Sequence, residues 1–132
     1  ADANIVVVSR DTSSGTYDTW EEMVMKKAKV RPKALLQASN GAVEQVVAKN
    51  PNAIGYVGLG YLAPSIKGLH IGKVAASAET ALSKEWPLSR ELYVFTNGEP
   101  AGASGALIKY ILDPAKGQKA VKEVGFVPLA KK

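Results

Sequence analysis

Blocks of apolar and polar residues alternate along the first half of the chain and predict strands that alternate with helices. Residues 5–8 form a β-branched run, Ile-Val-Val-Val, which is typical of a strand covered on both faces. Apolar residues then recur at three- and four-residue spacing over 17–28 and predict an amphipathic helix. A short element over 34–37 follows, and the segment Ser39-Asn40-Gly41 is predicted to cap a helix over 42–49.

Three further strands and three further helices are predicted in the rest of the chain. The strands fall at 53–58, 69–74 and 92–95. The helices fall at 78–84, where Ser77 is the predicted cap, at 102–112 and at 114–124, which begins with proline. This alternation predicts an α/β architecture with a largely parallel sheet, and the length of 132 residues predicts one domain over 1–132.

The composition is that of an ordinary globular chain, with 46% hydrophobic residues and no cysteine. A chain of this length buries roughly two-thirds of its unfolded surface, so a core can form without disulfides or metal. The lack of cysteine removes thiol catalysis and cysteine-ligated metal centres, and the single histidine, His70, is the only one available to a Ser-His-Asp triad. These counts disfavour much catalytic chemistry, and we expect no catalytic residue, metal or cofactor.

The formal charge of +5 suits an anionic partner, but its distribution does not suit a nucleic acid. The basic residues are scattered among acidic and apolar ones and form no continuous stripe, so we expect no nucleic-acid partner. No apolar run approaches the roughly 18 residues of a spanning helix, so we expect no membrane span. The first residues have no export signal, which either never existed or has been removed.

The most informative segment joins the first predicted strand to the first predicted helix. In a parallel sheet this junction places free helix N–H groups and the positive end of the helix dipole at the carboxyl edge, where ligands bind. Four residues of the segment supply donors or room for a ligand: Arg10 a guanidinium, Ser14 and Thr16 hydroxyls, and Gly15 a backbone without a Cβ. This set predicts a site for a small tetrahedral oxyanion.

The same four residues also have a purely structural interpretation. Ser14 or Thr16 then caps the helix, Gly15 eases the turn and Arg10 is a solvated strand end. Spacing alone does not choose between the two interpretations. No lysine follows Gly15 at the place that a nucleotide-binding P-loop requires, which disfavours nucleoside triphosphates as ligands.

The residues Ser9-Arg10-Asp11-Thr12-Ser13-Ser14-Gly15-Thr16-Tyr17 resemble the signature of the phosphate-binding proteins of phosphate ABC importers, in the type II periplasmic substrate-binding family. Later stretches at 39–43, 52–58, 87–95 and 117–129 resemble segments of that family in the same order. The resemblance implies a three-layer αβα periplasmic-binding-protein-like lobe. It also implies phosphate contacts from the donors listed here: Arg10, Ser14, Gly15 and Thr16.

The resemblance covers only part of the family's two-lobed architecture. Residues 1–86 resemble the second lobe, and 87–132 resemble the closing segment that returns to the first lobe. The family's first lobe supplies a carboxylate that accepts the proton of hydrogen phosphate and thereby rejects sulfate. Asp11 is a candidate replacement, but a carboxylate beside Arg10 is more simply a partner of that guanidinium or a turn former. We expect a half-site with affinity of about millimolar or weaker, unless a missing lobe or a second chain completes it.

The leading hypothesis is non-catalytic binding of inorganic phosphate, related to the substrate-binding component of phosphate ABC transport. It implies the importer's membrane subunits as partners and a periplasmic or extracellular location. The alternative is a structural or interaction module derived from a binding-protein lobe, with weak or no ligand binding. A phosphoryl-transfer enzyme would need a nucleophile and metal carboxylates near the loop, and Asp11 alone is insufficient. Trp20 and Met23 are predicted to pack in the core.

Overall fold

The β-branched run forms the central strand of a small parallel sheet. In the computed structural model, which describes residues 3–129, β1 (Val6–Arg10) lies between β2 (Leu35–Gln37) and β3 (Ala53–Ile54). Successive side chains of a strand point to opposite faces of its sheet. Because the neighbours Val8 and Ser9 are 1% and 0% exposed, β1 is covered on both faces, as its sequence predicts.

Two helices form the outer layers around this sheet. The chain runs from β1 through α1 (Gly15–Met23) to β2, then through α2 (Asn40–Lys49) to β3 on the other side of β1. Crossover connections between parallel strands are right-handed, so two crossovers in opposite directions place α1 and α2 on opposite faces. The predicted α/β architecture with a parallel sheet is confirmed.

The regular elements that follow β3 within residues 3–129 are helices, separated by long irregular segments. A 3₁₀ helix (Leu59–Tyr61) is followed by α3 (Ala78–Leu82), α4 (Gly102–Leu112) and α5 (Gly117–Glu123). The predicted cap of α3 is confirmed, since the Ser77 hydroxyl accepts from the Thr80 amide at 3.0 Å. α4 packs on α5, and the turn after α5 brings Gly125 against Gly60, where a Cβ on Gly60 would lie 2.5 Å from the Gly125 Cα.

The predicted strand at 92–95 is wrong. Its four side chains are 61–89% exposed, with Phe95 at the upper limit, and the segment has no regular secondary structure. A strand forms only where a neighbour takes up its backbone N–H and C=O groups, and none pairs with this segment within residues 3–129. The four apolar side chains therefore stay exposed, because no element within residues 3–129 packs over them.

The predicted strand at 69–74 is replaced by a tight turn. Ile71 and Val74 exchange two backbone hydrogen bonds, of 3.0 and 3.1 Å, around Gly72, whose φ is +61°. Glycine adopts that backbone conformation at little cost, so the chain reverses where the alternating pattern predicts extension. β3 also ends at Ile54 rather than at the predicted position 58.

Helix α1 ends at Met23, earlier than the predicted position 28. Lys26 and Lys27 adopt positive φ angles of 49° and 69°, which no α-helix contains. Met23 is 40% exposed, so its predicted core role is wrong. Trp20 does pack as predicted: its ring stacks on Tyr56, with centroids 4.6 Å apart.

Candidate anion-binding site

The four predicted site residues lie at the carboxyl end of the central strand. Arg10 is the last residue of β1 and Ser14 is the N-cap of α1. Between them the Ser14 amide donates to the Asp11 carbonyl at 3.2 Å, which closes a tight turn. The connection that leaves β1 runs to β2 on one side, and the connection that leaves β2 runs back past β1 to β3 on the other side. The direction of the connections therefore reverses beside β1, and such a switch point is where open α/β sheets leave a ligand crevice. One strand–turn–helix junction therefore carries Arg10, Ser14, Gly15 and Thr16.

The Arg10 guanidinium is fixed against the end of β2. Its Nε–H donates to the Gln37 carbonyl at 3.2 Å and its Nη2 donates to the Ala38 carbonyl at 3.1 Å. The side chain is only 11% exposed, so its interpretation as a solvated strand end is wrong. A guanidinium has five N–H donors, so these two contacts leave others for an anion.

Ser14 caps α1, as the structural interpretation predicts. It is 6% exposed, and its hydroxyl oxygen accepts from the amides of Thr16 at 3.1 Å and Tyr17 at 3.4 Å. Capping uses the oxygen lone pairs and leaves the hydroxyl hydrogen to donate. Among the residues that the structure describes, the Gly15 amide and the Thr16 hydroxyl have no hydrogen-bond partner. Capping and anion binding are therefore compatible at this helix end.

Asp11 forms the turn rather than facing a ligand as a free acceptor. One carboxylate oxygen accepts from the Ser13 amide at 3.0 Å and from the Ser13 hydroxyl, and the other lies 3.7 Å from the Arg10 Nη2. The hydrogen bonds from Ser13, with a smaller contribution from Arg10, hold the pKa of Asp11 below its usual value. The simpler role predicted for Asp11, turn former and guanidinium partner, is confirmed.

Tyr56, which follows β3, holds the end of β1 in place. Its hydroxyl lies 2.8 Å from the Ser9 hydroxyl and accepts from the Arg10 amide at 3.2 Å. No short motif predicts these contacts, because Tyr56 lies 47 and 46 residues from Ser9 and Arg10 along the chain. A cavity of about 210 Å³ borders Tyr56 and Trp20, and its almost entirely apolar lining does not suit an anion.

A second arginine, to which the sequence assigns no role, also reaches the junction. The Nη2 of Arg90 donates to the Gly15 carbonyl at 3.0 Å. A Cβ on Gly15 would lie 2.7 Å from that nitrogen, so the glycine leaves room for the guanidinium. The sequence feature that could have pointed to Arg90 is its place in the stretch 87–95, which resembles a segment of the family.

Comparison with known proteins assigns the class. Residues 1–115 match the family described as PBP superfamily domain, and the chain belongs to that superfamily. Its relatives include the phosphate-binding protein PstS of Borreliella burgdorferi, 33% identical over 96% of this chain and 49% of the relative. PstS of Pseudomonas aeruginosa is 33% identical over 97% of this chain and 42% of the relative. The chain thus spans about half the length of the curated relatives it matches.

Solved structures agree with this assignment. A phosphate-binding protein of a phosphate ABC transporter from Streptococcus pneumoniae aligns with a TM-score of 0.88 and 30% identity, over 98% of this chain and 53% of that chain. A structure from Clostridium perfringens, described as a phosphate ABC transporter substrate-binding protein with bound phosphate, aligns with a TM-score of 0.82 and 32% identity, over 98% and 54%. The predicted resemblance to phosphate-binding proteins of ABC importers is confirmed.

Proposed function

We propose that this chain binds inorganic phosphate, without transforming it, at the junction between β1 and α1. The observation that carries the proposal is the set of donors at the switch point of a PBP-superfamily fold, in a chain that is similar to PstS proteins over nearly its whole length. Two backbone carbonyls hold the Arg10 guanidinium in place beside Asp11, and the Gly15 amide has no hydrogen-bond partner among the described residues.

The four residues supply three kinds of hydrogen-bond donor in this proposal. Arg10 supplies charged N–H donors from a side chain that the β2 carbonyls already hold in place. Ser14 and Thr16 donate their hydroxyl hydrogens, and Gly15 donates its amide at the positive end of the α1 dipole. A phosphate can accept at every oxygen, so donors that converge from one turn can replace part of its water shell.

The chain is proposed to form one half of a two-lobed binding protein. Residues 1–86 then correspond to the second lobe, and 87–132 to the segment that returns to the first. The exposure of 92–95 supports this division, since a run of four apolar residues needs a partner that residues 3–129 do not provide. Helix α4 supports it too: only Gly105 is buried, although Lys109 is its only charged residue. The remaining lobe, or a second chain, would cover both and complete the site.

The wider biological assignment follows from the same relatives. We infer a non-enzymatic receptor that works with the membrane subunits of a phosphate ABC importer in the periplasm or outside the cell. The names of the relatives, phosphate-binding proteins, support this assignment. None of the helices within residues 3–129 is both long and apolar enough to cross a membrane.

A phosphate titration followed by ¹H–¹⁵N NMR tests the proposal. We expect saturable shifts of the Gly15 and Thr16 amides, with half-saturation at about millimolar phosphate, since a few charge-assisted hydrogen bonds of about 1.5–3 kcal/mol each must offset an association cost of at least about 4 kcal/mol. Chloride at the same ionic strength is the control. Shifts that spread over the basic surface without saturation, and leave Gly15 unmoved, would contradict phosphate binding at this junction.

The exposed apolar residues favour one alternative, an interaction module that has lost ligand binding. Leu92, Tyr93 and Phe95 are 67%, 69% and 89% exposed, which suits a protein contact. Sedimentation analysis in the same buffer separates the two functions. Self-association without any phosphate response at Gly15 would favour the interaction module.

A further inference from the structure

Arg90 lies where helix electrostatics alone would not favour a cation. Its guanidinium reaches the first turn of α1 and donates to the Gly15 carbonyl at 3.0 Å, across a separation of 75 residues. The amino end of a helix carries partial positive charge, so a cation there is unfavourable unless something offsets it. A bound anion beside Gly15 would supply that offset.

The charge of Arg90 is not neutralised by a neighbouring acid. Within residues 3–129, no carboxylate forms an ion pair with Arg90, and the adjacent Glu91 lies 3.7 Å from Lys84 instead. Arg10 differs in this respect, because Asp11 lies 3.7 Å from its Nη2. Of the two guanidinium groups at the junction, Arg90 is therefore the one whose charge this part of the chain leaves uncompensated.

Gly15 joins Arg90 to the ligand loop. Its carbonyl accepts from the guanidinium, while its amide is free at the end of the helix. The contact depends on the missing side chain, because a Cβ would lie 2.7 Å from the Arg90 Nη2. The glycine thus has two functions: it opens the loop to an anion and it admits the arginine.

We propose that Arg90 is a positioning residue of the oxyanion site, which orients the peptide unit between Gly15 and Thr16 and adds positive charge beside the bound anion. This inference rests on the proposed function, because it concerns the same site. The side chain is exposed, so the effect of its charge is screened and modest.

The test compares phosphate affinity, from the Gly15 amide shift, among Arg90→Gln, Arg90→Lys and Arg31→Gln. Arg31 is the matched control, because it is exposed and precedes β2 at the opposite, amino edge of the sheet. We expect Arg90→Gln to weaken binding about two- to fivefold, as for an exposed charge interaction. Arg90→Lys should recover most of that loss and Arg31→Gln should lose nothing. High salt should reduce the difference between wild type and Arg90→Gln.

A double-mutant cycle with Gly15→Ala, with phosphate affinity measured from the Thr16 amide in all four chains, isolates the contact itself. The added methyl group displaces the guanidinium, so Arg90→Gln should cost little further affinity in the Gly15→Ala background. Equal costs in both backgrounds would overturn the proposal. So would an Arg90→Gln variant that binds phosphate as tightly as Arg31→Gln, and both results leave the proposed function intact. A wild-type chain with no saturable response at Gly15 would instead reject the proposed function, and this inference with it.

Discussion

Replacing Arg10 with alanine removes the main charged donor of the proposed site. One hydrogen bond to a charged group contributes about 1.5–3 kcal/mol, so the substitution should weaken phosphate binding about 10- to 100-fold. The Arg10 side chain is 11% exposed and held by the carbonyls of Gln37 and Ala38, so the wild-type guanidinium is already ordered before it meets the anion. Little of its interaction energy is then lost to ordering the side chain.

The same substitution has a smaller effect on stability. The Gln37 carbonyl still accepts from the Asp11 amide at 3.1 Å, and the Ala38 carbonyl can turn to water. We expect a loss of only about 1–2 kcal/mol in the free energy of unfolding, because these other partners of the two carbonyls offset much of the lost charge-assisted bonding. The variant should remain folded, so its binding can be measured.

The assay is an NMR titration of the Gly15 amide with phosphate at constant ionic strength, with urea unfolding measured on the same samples. Arg10→Lys is the matched variant: it keeps the charge but loses the planar fork, so its affinity should fall between those of wild type and Arg10→Ala. If folded Arg10→Ala saturates at the same phosphate concentration as wild type, the guanidinium does not bind the anion and the reasoning from its geometry fails.

Three further predictions concern selectivity, packing and pH. Sulfate should displace phosphate from this chain with an affinity within about tenfold of that of phosphate, since a site of donors does not penalise the unprotonated ion; strong discrimination in a competition titration would contradict this. Gly60→Ala should destabilise the fold by about 1–3 kcal/mol, because the new Cβ would lie 2.5 Å from the Gly125 Cα. Gly41 in α2 has open space around it, so Gly41→Ala should stabilise the fold by about 0.5–1 kcal/mol. Urea midpoints in the reverse order would refute the packing argument. The hydrogen bond from Lys29 holds the pKa of Glu21 below its usual 4.5. The ion pair therefore stabilises the fold above that pH, and this stabilisation is lost as the pH falls through the folded-state pKa of Glu21. Glu21→Gln should lose less stability than wild type on acidification; an unchanged dependence of the unfolding free energy on acidic pH would argue against the ion pair.

Local signals explain why much of the fold is predictable. The caps supplied by Ser39 and Ser77 depend on neighbours within a few residues, and each begins the expected helix. The β-branched run at 5–8 overlaps β1 because β2 and β3 pair with that segment. The run at 92–95 has an equally strong pattern but no strand forms there. Strand pairing needs a distant partner, and a pattern of apolar residues does not say whether that partner lies in the same chain.

The site residues likewise fall into those that a local motif predicts and those that depend on distant contacts. Arg10, Ser14, Gly15 and Thr16 are consecutive or nearly so, and the strand–turn–helix order is enough to bring them together. Tyr56 and Arg90 reach the junction from 46 and 75 residues away. Their contacts require the sheet order and the path of the chain after α3, which no short motif specifies.

The donors at the junction and the exposed apolar residues at 92–95 would both be completed by a second protein surface outside the described residues. A loop of donors attracts any small oxyanion, and Asp11, already engaged by Ser13, does not add an acceptor that would favour a protonated one. An acceptor on a facing wall would pair only with hydrogen phosphate and would leave sulfate with a repelled oxygen. The same wall could bury the apolar side chains at 92–95. Supplying the other half of a PstS relative should therefore raise phosphate affinity and phosphate-over-sulfate selectivity together, because one docking event closes the site and covers the apolar run.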